Sequence, residues 1–369
     1  MLLGSEMKFN KKYIIISFVL VIALAILVHH LNNSPSKYTI NIAGSTSVKP
    51  LMDLWANEYM KLYSNYKIDV AGGGSGKGIQ QVSSGVIDIG MHSRPILEND
   101  PKFNAVTFTV ANDGVLIVAN KKLPIVGLTK EAIQAIFGYA DKEIKYPLKT
   151  YIKVLSAGSE KDIEVIIKKL DNGKISIESV DKTCKTVLQP YVRADSSGTA
   201  ETFAVFLYGS WRARWNGPKG KGVSGNQGMT QAIASDPNGI GFLAGAYFDP
   251  KNMRVIRIVY WDGKSLMNWN NYETDKHNRP TPEAIMTGVA SSAITCQHGE
   301  AHNGYPIARG LYVSVNLDKF NGKIPKYIAE FLKWCIVDGQ KFVEKVGYIS
   351  LSQEQVDDNL KKLAEYSEG

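Results

Sequence analysis

The sequence has no long run of like charge and no cysteines at metal-binding spacing. Beyond its N-terminus it also has no apolar stretch of membrane length. Each absence removes a class of function. The 43 Lys and Arg residues exceed the 35 Asp and Glu by a net +8, spread along 369 residues rather than gathered into a basic tract. That distribution gives nucleic-acid binding little footing and suits an anionic small ligand or an anionic membrane surface. Cys184, Cys296 and Cys335 lack CxxC spacing, so no metal site and no cofactor are expected. In an exported protein Cys184 and Cys296 could close one disulfide, with buried free thiols as the equal alternative. There is no fixed-period repeat and no low-complexity segment. The length suits about two domains with ample core.

One apolar run is present, Tyr13–Val28, with Lys8, Lys11 and Lys12 on its N-terminal side. That order of charge and hydrophobicity is the one an exported protein uses. The expectation is a basic cytoplasmic segment over 1–12, a signal peptide or membrane anchor over 13–30, and a polar linker over 31–37. No A-x-A cleavage site and no lipidation cysteine follow the run, which argues against a lipoprotein anchor. The folded part is then extracytoplasmic, in a periplasm or at a cell surface, tethered or secreted.

From Tyr38 the pattern alternates between strand and helix. Tyr38–Ala43 reads as a strand, a Pro50-led amphipathic helix follows, and Lys67–Ala71 reads as a second strand. A short helix over Lys77–Ser84 and a third strand over Val86–Gly90 complete the signature of a parallel α/β sheet. Val106–Ala119 and Tyr305–Asn316 are long β-rich segments able to carry the chain from one domain to another and back. Between them, helices are expected at Thr129–Phe137, Lys161–Leu170, Ala200–Tyr208 and Gly228–Ser235. Ser159 and Asp162, spaced as a capping box, open the second of these. Strands are expected at Leu188–Arg193, Ile240–Ala244 and Arg254–Tyr260. Tyr139–Tyr151 and Trp211–Ser224 read as solvent loops, and Ser352 opens a last amphipathic helix.

Three Gly/Ser/Thr loops fall at the carboxyl ends of the first three strands: GSTSV, GGGSGKG and MHSRP. Ligands of open α/β sheets bind at that edge, and helix starts there offer unpaired amides to an anion. A fourth loop, RADSSGT at 193–199, adds a guanidinium. GGGSGKG is neither a P-loop, since Gly78 follows Lys77, nor a G-x-S-x-G elbow. Taken singly, GSTSV could be a plain helix cap and Arg193 with Asp195 an ordinary ion pair. Together, the four hydroxyl-rich loops and one arginine suit a tetrahedral oxyanion with its many lone pairs.

In the same order, GSTSVKPL, GGGSGKGI, DIGMHSRPI, RADSSGTAETF, PNGIGFL and DGQKFVEKVGYISL resemble the motifs of Pst-type phosphate-binding proteins, the receptors of phosphate ABC importers. The resemblance implies a type II periplasmic-binding-protein fold of the α/β class, with two α/β domains, two hinge crossings and the ligand in the cleft between them. Domain I would comprise 38–112 and 308–369, and domain II 113–307. Carried over by motif, Thr46, Ser47, Ser75 and Ser93 would hold phosphate from one domain. Arg193, Ser197, Gly198 and Thr199 would hold it from the other, with Asp195 orienting Arg193. Asp88 is a supporting residue, more a buttress of its strand than a ligand. The implied partners are inorganic phosphate, ABC permease subunits and, if the N-terminal helix is uncleaved, the membrane. The protein would act as a monomer, not as an enzyme.

The sequence departs from the family at Ser93, where better-known members carry an Asp that accepts the proton of HPO4²⁻. Two alternatives follow: a receptor for sulfate, molybdate or tungstate, or an exported phosphate-ester hydrolase with a Ser nucleophile. The hydrolase needs a base, and His92 is the one histidine in these loops. Arg94 is left as either an added positive charge or a solvent-facing side chain.

Overall fold

The computed structural model describes residues 20–22, 38–138, 144–211, 220–291 and 304–368. The expected N-terminal helix over 13–30 and Cys296, half of the suggested disulfide, lie outside these residues except for Leu20–Ile22. Among the described residues, no helix is long and apolar enough to cross a membrane.

Strand β1 (Tyr38–Gly44) pairs in parallel with β2 (Tyr66–Ala71) and with β3 (Ile89–His92). Alternation puts Ile40 and Ile42 inward. Helix α1 (Lys49–Leu62) has Pro50 in its first turn, where a fixed φ fits, and buries Leu51, Trp55 and Tyr59. Helix α2 (Ser75–Ser83) follows β2. The third strand begins three residues later than its sequence suggests. Val86 is 65% exposed, and Asp88 is spent on the Asn41 backbone N–H (2.7 Å) and Lys319 Nζ (2.7 Å).

The long β4 (Ala105–Asn120) leads into β5 (Ile125–Thr129) and α3 (Lys130–Phe137), which Thr129 caps by accepting from Ala132 N–H. Strands β6 (Leu148–Ser156), β7 (Ser159–Lys169), β8 (Ile175–Ser179) and β9 (Lys185–Arg193) form an antiparallel meander. The helix expected over Lys161–Leu170 is therefore a strand, and β6 replaces part of the loop expected over Tyr139–Tyr151. Four β-branched residues, Ile163, Val165, Ile166 and Ile167, favour the extended chain, and Val165 and Ile167 alternate into the core. Ser159 pairs with Ser156 across a tight turn. Asp162 accepts from Lys153 Nζ (2.6 Å) and Leu266 N–H (2.8 Å) rather than capping a helix.

Helix α4 (Gly198–Tyr208) follows β9, and β10 (Lys221–Val223) adds to that strand. Next come α5 (Gly225–Ser235), β11 (Gly239–Ala244) and β12 (Met253–Val255). Strands β13 (Arg257–Trp261) and β14 (Leu266–Asn268) precede α6 (Pro282–Ala290). The strand expected over Arg254–Tyr260 is thus split at Ile256. The chain returns through β15 (Ala308–Asn316) to α7 (Lys326–Ile336) and α8 (Gln353–Tyr366). Ser352 and Gln355 form a complete capping box on α8.

The strands order as β14-β13-β5-β6-β7-β8-β9-β11-β4-β15-β3-β1-β2, a single curled sheet with helices on its faces. The apolar interior separates along the chain. One cluster holds Ile40 to Ala111 and Leu311 to Leu363, with Ala244 as its one outside member. A second holds Val115 to Ala308, and two smaller ones hold Leu116 to Val255 and Ala43 to Ile87. The chain passes from the first to the second along β4 and returns along β15. These two strands are antiparallel partners from Ala105↔Asn316 to Gly114↔Ala308.

Candidate functional site

The loop after β1 shares out its hydroxyls. Ser45 Oγ accepts from the N–H groups of Ser47 (3.2 Å) and Val48 (3.4 Å), so Ser45 satisfies the start of α1. Thr46 and Ser47 are thereby released to face the opposite loops. Tyr247 Oη donates to the Thr46 carbonyl (2.8 Å) and Tyr348 Oη to the Ser47 carbonyl (2.5 Å), fixing the loop from both sides. After β2 the chain turns through Gly73 and Gly74 with positive φ. A Cβ at Gly74 would run into the Ser196 carbonyl, so the two loops meet only because this residue is glycine. Ser75, first in α2, accepts from the Ser93 N–H (3.0 Å), and the two hydroxyls lie 3.2 Å apart. Gly198 leaves room for both, since a side chain there would strike Ser75 Oγ and Ser93 Oγ.

From the other cluster of the core, Arg193 ends β9 with its side chain 1% exposed. Asp195 clamps it through Nε (2.7 Å) and Nη2 (2.5 Å), and Nη2 also donates to Thr46 Oγ1 (3.1 Å). Burial alone would raise the Asp195 carboxyl, but the Arg193 guanidinium and the Gly225 N–H hold it below its ordinary value. Ser197 caps α4 by accepting from Ala200 N–H (3.2 Å), whereas Thr199 Oγ1 reaches Ser47 Oγ (2.9 Å).

Sequence reasoning missed two residues of this cluster. Asn226, at the start of α5, donates through Nδ2 to Ser47 Oγ (3.1 Å) and Thr46 Oγ1 (3.4 Å), and accepts from Arg193 Nη1 (3.3 Å). Arg309, on β15, donates through Nη2 to Ser47 Oγ and Thr199 Oγ1, both at 3.1 Å, and pairs with Asp113 (2.7 Å). Thr46, Ser47, Ser75, Ser93, Arg193, Gly198 and Thr199 thus converge, with Asp195 behind Arg193 and Ser197 spent on its helix. Asp88 buttresses β1, and its bonds go to residues outside the cluster.

Arg94 is neither a site cation nor a solvent-facing side chain. It is buried and pairs with Asp100 (2.6 Å) and with Glu201 of α4 (2.5 Å). His92 also points away: Nδ1 lies 2.6 Å from the Arg94 carbonyl and Nε2 2.7 Å from Ser314 Oγ. The described residues hold no cluster of His, Cys, Asp and Glu able to bind a metal ion.

A buried cluster of hydroxyls and amides with two carboxylate-clamped guanidiniums has a donor set suited to an oxyanion. A family model described as a PBP superfamily domain matches residues 32–338, and the chain belongs to that superfamily. Among curated relatives, the phosphate-binding protein PstS of Methanocaldococcus jannaschii is 24% identical over 365 residues, covering 88% of this chain and 85% of its own. PstS of Pseudomonas aeruginosa is likewise 24% identical over 334 residues, covering 88% and 86%. Among solved structures, an ABC-type phosphate transport receptor from Vibrio cholerae superposes with a TM-score of 0.53 at 22% identity. It covers 85% of this chain and 100% of its own, a likeness of fold.

Proposed function

We propose that this protein is an extracytoplasmic receptor that captures inorganic phosphate between two domains and delivers it to the permease of an ABC importer. Domain I comprises 38–112 with 308–369, domain II comprises 113–307, and the hinge lies in β4 and β15. The partition of the apolar core along those boundaries supports this reading. Its PstS relatives are phosphate-binding proteins by name. The observation that carries the reading is Arg193, held by Asp195 in its own loop and aimed at Thr46 of the loop opposite.

In this reading phosphate takes the hydroxyls of Thr46, Ser47, Ser75, Ser93 and Thr199, the amides at the start of α4 (Ser197, Gly198) and the Arg193 guanidinium. The segment 13–30 tethers or exports the chain, which works as a monomer. The protein is a receptor and not an enzyme. His92 bonds to Ser314 and the Arg94 backbone, so this histidine is not placed to activate a neighbouring serine.

Isothermal calorimetry tests the reading. Phosphate should bind 1:1 without added metal, and Arg193→Ala should cost roughly 2–5 kcal/mol because a buried anion loses its positive partner. Heat with molybdate or tungstate and none with phosphate would refute the ligand. Near-normal phosphate binding by Arg193→Ala would refute the site.

A further inference from the structure

Arg309 has its side chain 4% exposed, in a run that is otherwise apolar over Tyr305–Val315 apart from Ser314. Its nitrogens divide into two sets. Nε (3.0 Å) and Nη2 (2.7 Å) donate to Asp113 Oδ2, and Nη1 donates to the Ser93 carbonyl (3.1 Å). The remaining face of Nη2 looks into the hydroxyl ring, at Ser47 and Thr199. Arg193 is built on the same plan, with Asp195 behind it and Thr46 in front. Asn226 Nδ2 joins the two by bonding to both Thr46 and Ser47. An oxyanion in that ring therefore faces two guanidiniums and a side-chain amide.

The nearby carboxylates face the other way. Asp195 Oδ1 accepts from Arg193 Nε and Gly225 N–H, and its Oδ2 from Arg193 Nη2. Asp113 Oδ1 accepts from Gly245 N–H and its Oδ2 from Arg309. Glu201 and Asp100 are taken by Arg94. Among the described residues bonded into the ring, the acceptors left for a proton on the ligand are hydroxyls, with Ser93 and Ser75 foremost. A hydroxyl accepts from a protonated oxyanion and donates equally well to a deprotonated one. It sets up no charge repulsion against a dianion, as a carboxylate would.

We propose that Arg309 is a second cationic ligand of the anion, and that with Arg193 it makes this site select tetrahedral dianions by charge rather than by their proton. The inference rests on the oxyanion-receptor reading and sharpens its ligand class: sulfate and HPO4²⁻ are both taken, and H2PO4⁻ is taken less well.

The test uses the full chain and two probes, inorganic phosphate and sulfate, in calorimetric competition across phosphate's second ionisation. Phosphate affinity should rise with pH and level off once the dianion dominates. Sulfate affinity should stay flat and lie within about tenfold of the phosphate plateau. Arg309→Gln alone would strand a buried Asp113 carboxylate, so the charge-balanced double variant Arg309→Gln/Asp113→Asn is the informative one. It should keep the ligand-free melting temperature and bind both anions at least ~30-fold more weakly. Failure of sulfate to displace phosphate from the wild-type protein would overturn selection by charge. Unchanged phosphate binding by the folded double variant would overturn the role of Arg309. In both cases the phosphate-receptor reading survives. That reading falls, and this inference with it, if the wild-type protein binds neither anion.

Discussion

His92 is next in sequence to a site serine, yet its chemistry is that of a core residue. The Arg94 carbonyl can only accept, so Nδ1 carries the proton and Nε2 accepts from the Ser314 hydroxyl. Burial pushes the imidazole down to about 4, from an ordinary 6.5. A base whose folded value is depressed stays neutral in the native state and charges first in the unfolded chain. Its stabilising contribution is therefore complete above 6.5 and is lost as pH falls towards 4. Between pH 7.5 and pH 5 the wild-type protein should lose about 2 kcal/mol more than His92→Gln in urea unfolding. Parallel pH profiles for the two proteins would contradict this. Legibility at this scale followed locality. Thr46, Ser47, Ser75, Ser93 and Arg193 sit in short motifs at strand ends and could be read from sequence. Asn226 and Arg309 sit in segments without such a motif, and only folding brings them in. The one available signal for Arg309 was a lone cation in the apolar run YPIARGLYV, a charge that demands a buried partner.

Among the elements, the turn between β2 and α2 sets how closely the two halves of the site approach. Gly74 has φ +94° and touches the Ser196 backbone, and the Gly76 N–H donates to the same carbonyl (3.4 Å). Gly74→Ala should hold the two loops apart at that contact and strain the turn. We expect phosphate affinity to fall at least ~10-fold, with a larger radius of gyration in scattering with phosphate added. Wild-type affinity and compaction would show that the loops can meet without this glycine. The β6–β7 hairpin shows where local pattern misleads. Ser159-x-x-Asp162 has the spacing of a helix start, but the four β-branched residues that follow outweigh it. Positive φ at Ala157 and Gly158 closes a hairpin instead. On α8 the same kind of spacing, Ser352-x-x-Gln355, is a true cap, because the segment after it is rich in helix formers.

At the scale of the whole molecule, a ligand that bridges two cores adds its binding free energy to folding stability. Phosphate at 100 times its dissociation constant should add about 2.7 kcal/mol, seen as a rise on the order of 5 °C in melting temperature. An unchanged melting curve at saturating phosphate would mean that binding is not coupled to the native state. The division of the core was foreshadowed in the sequence by the two long β-rich segments. The continuity of the sheet across both cores was not, because strand order depends on pairings between residues far apart in the chain.

That continuity has a mechanical consequence. The two crossing segments are a hydrogen-bonded ribbon, laddered from Ala105↔Asn316 to Gly114↔Ala308 with one irregularity at Leu311/Tyr312. It is pinned near one end by the reciprocal Asn112–Ile349 backbone pair. Such a ribbon yields to twist and bend but resists sliding, because sliding breaks ladder bonds while twisting keeps them. Arg309 lies on that ribbon, so a twist of β15 turns its guanidinium as well.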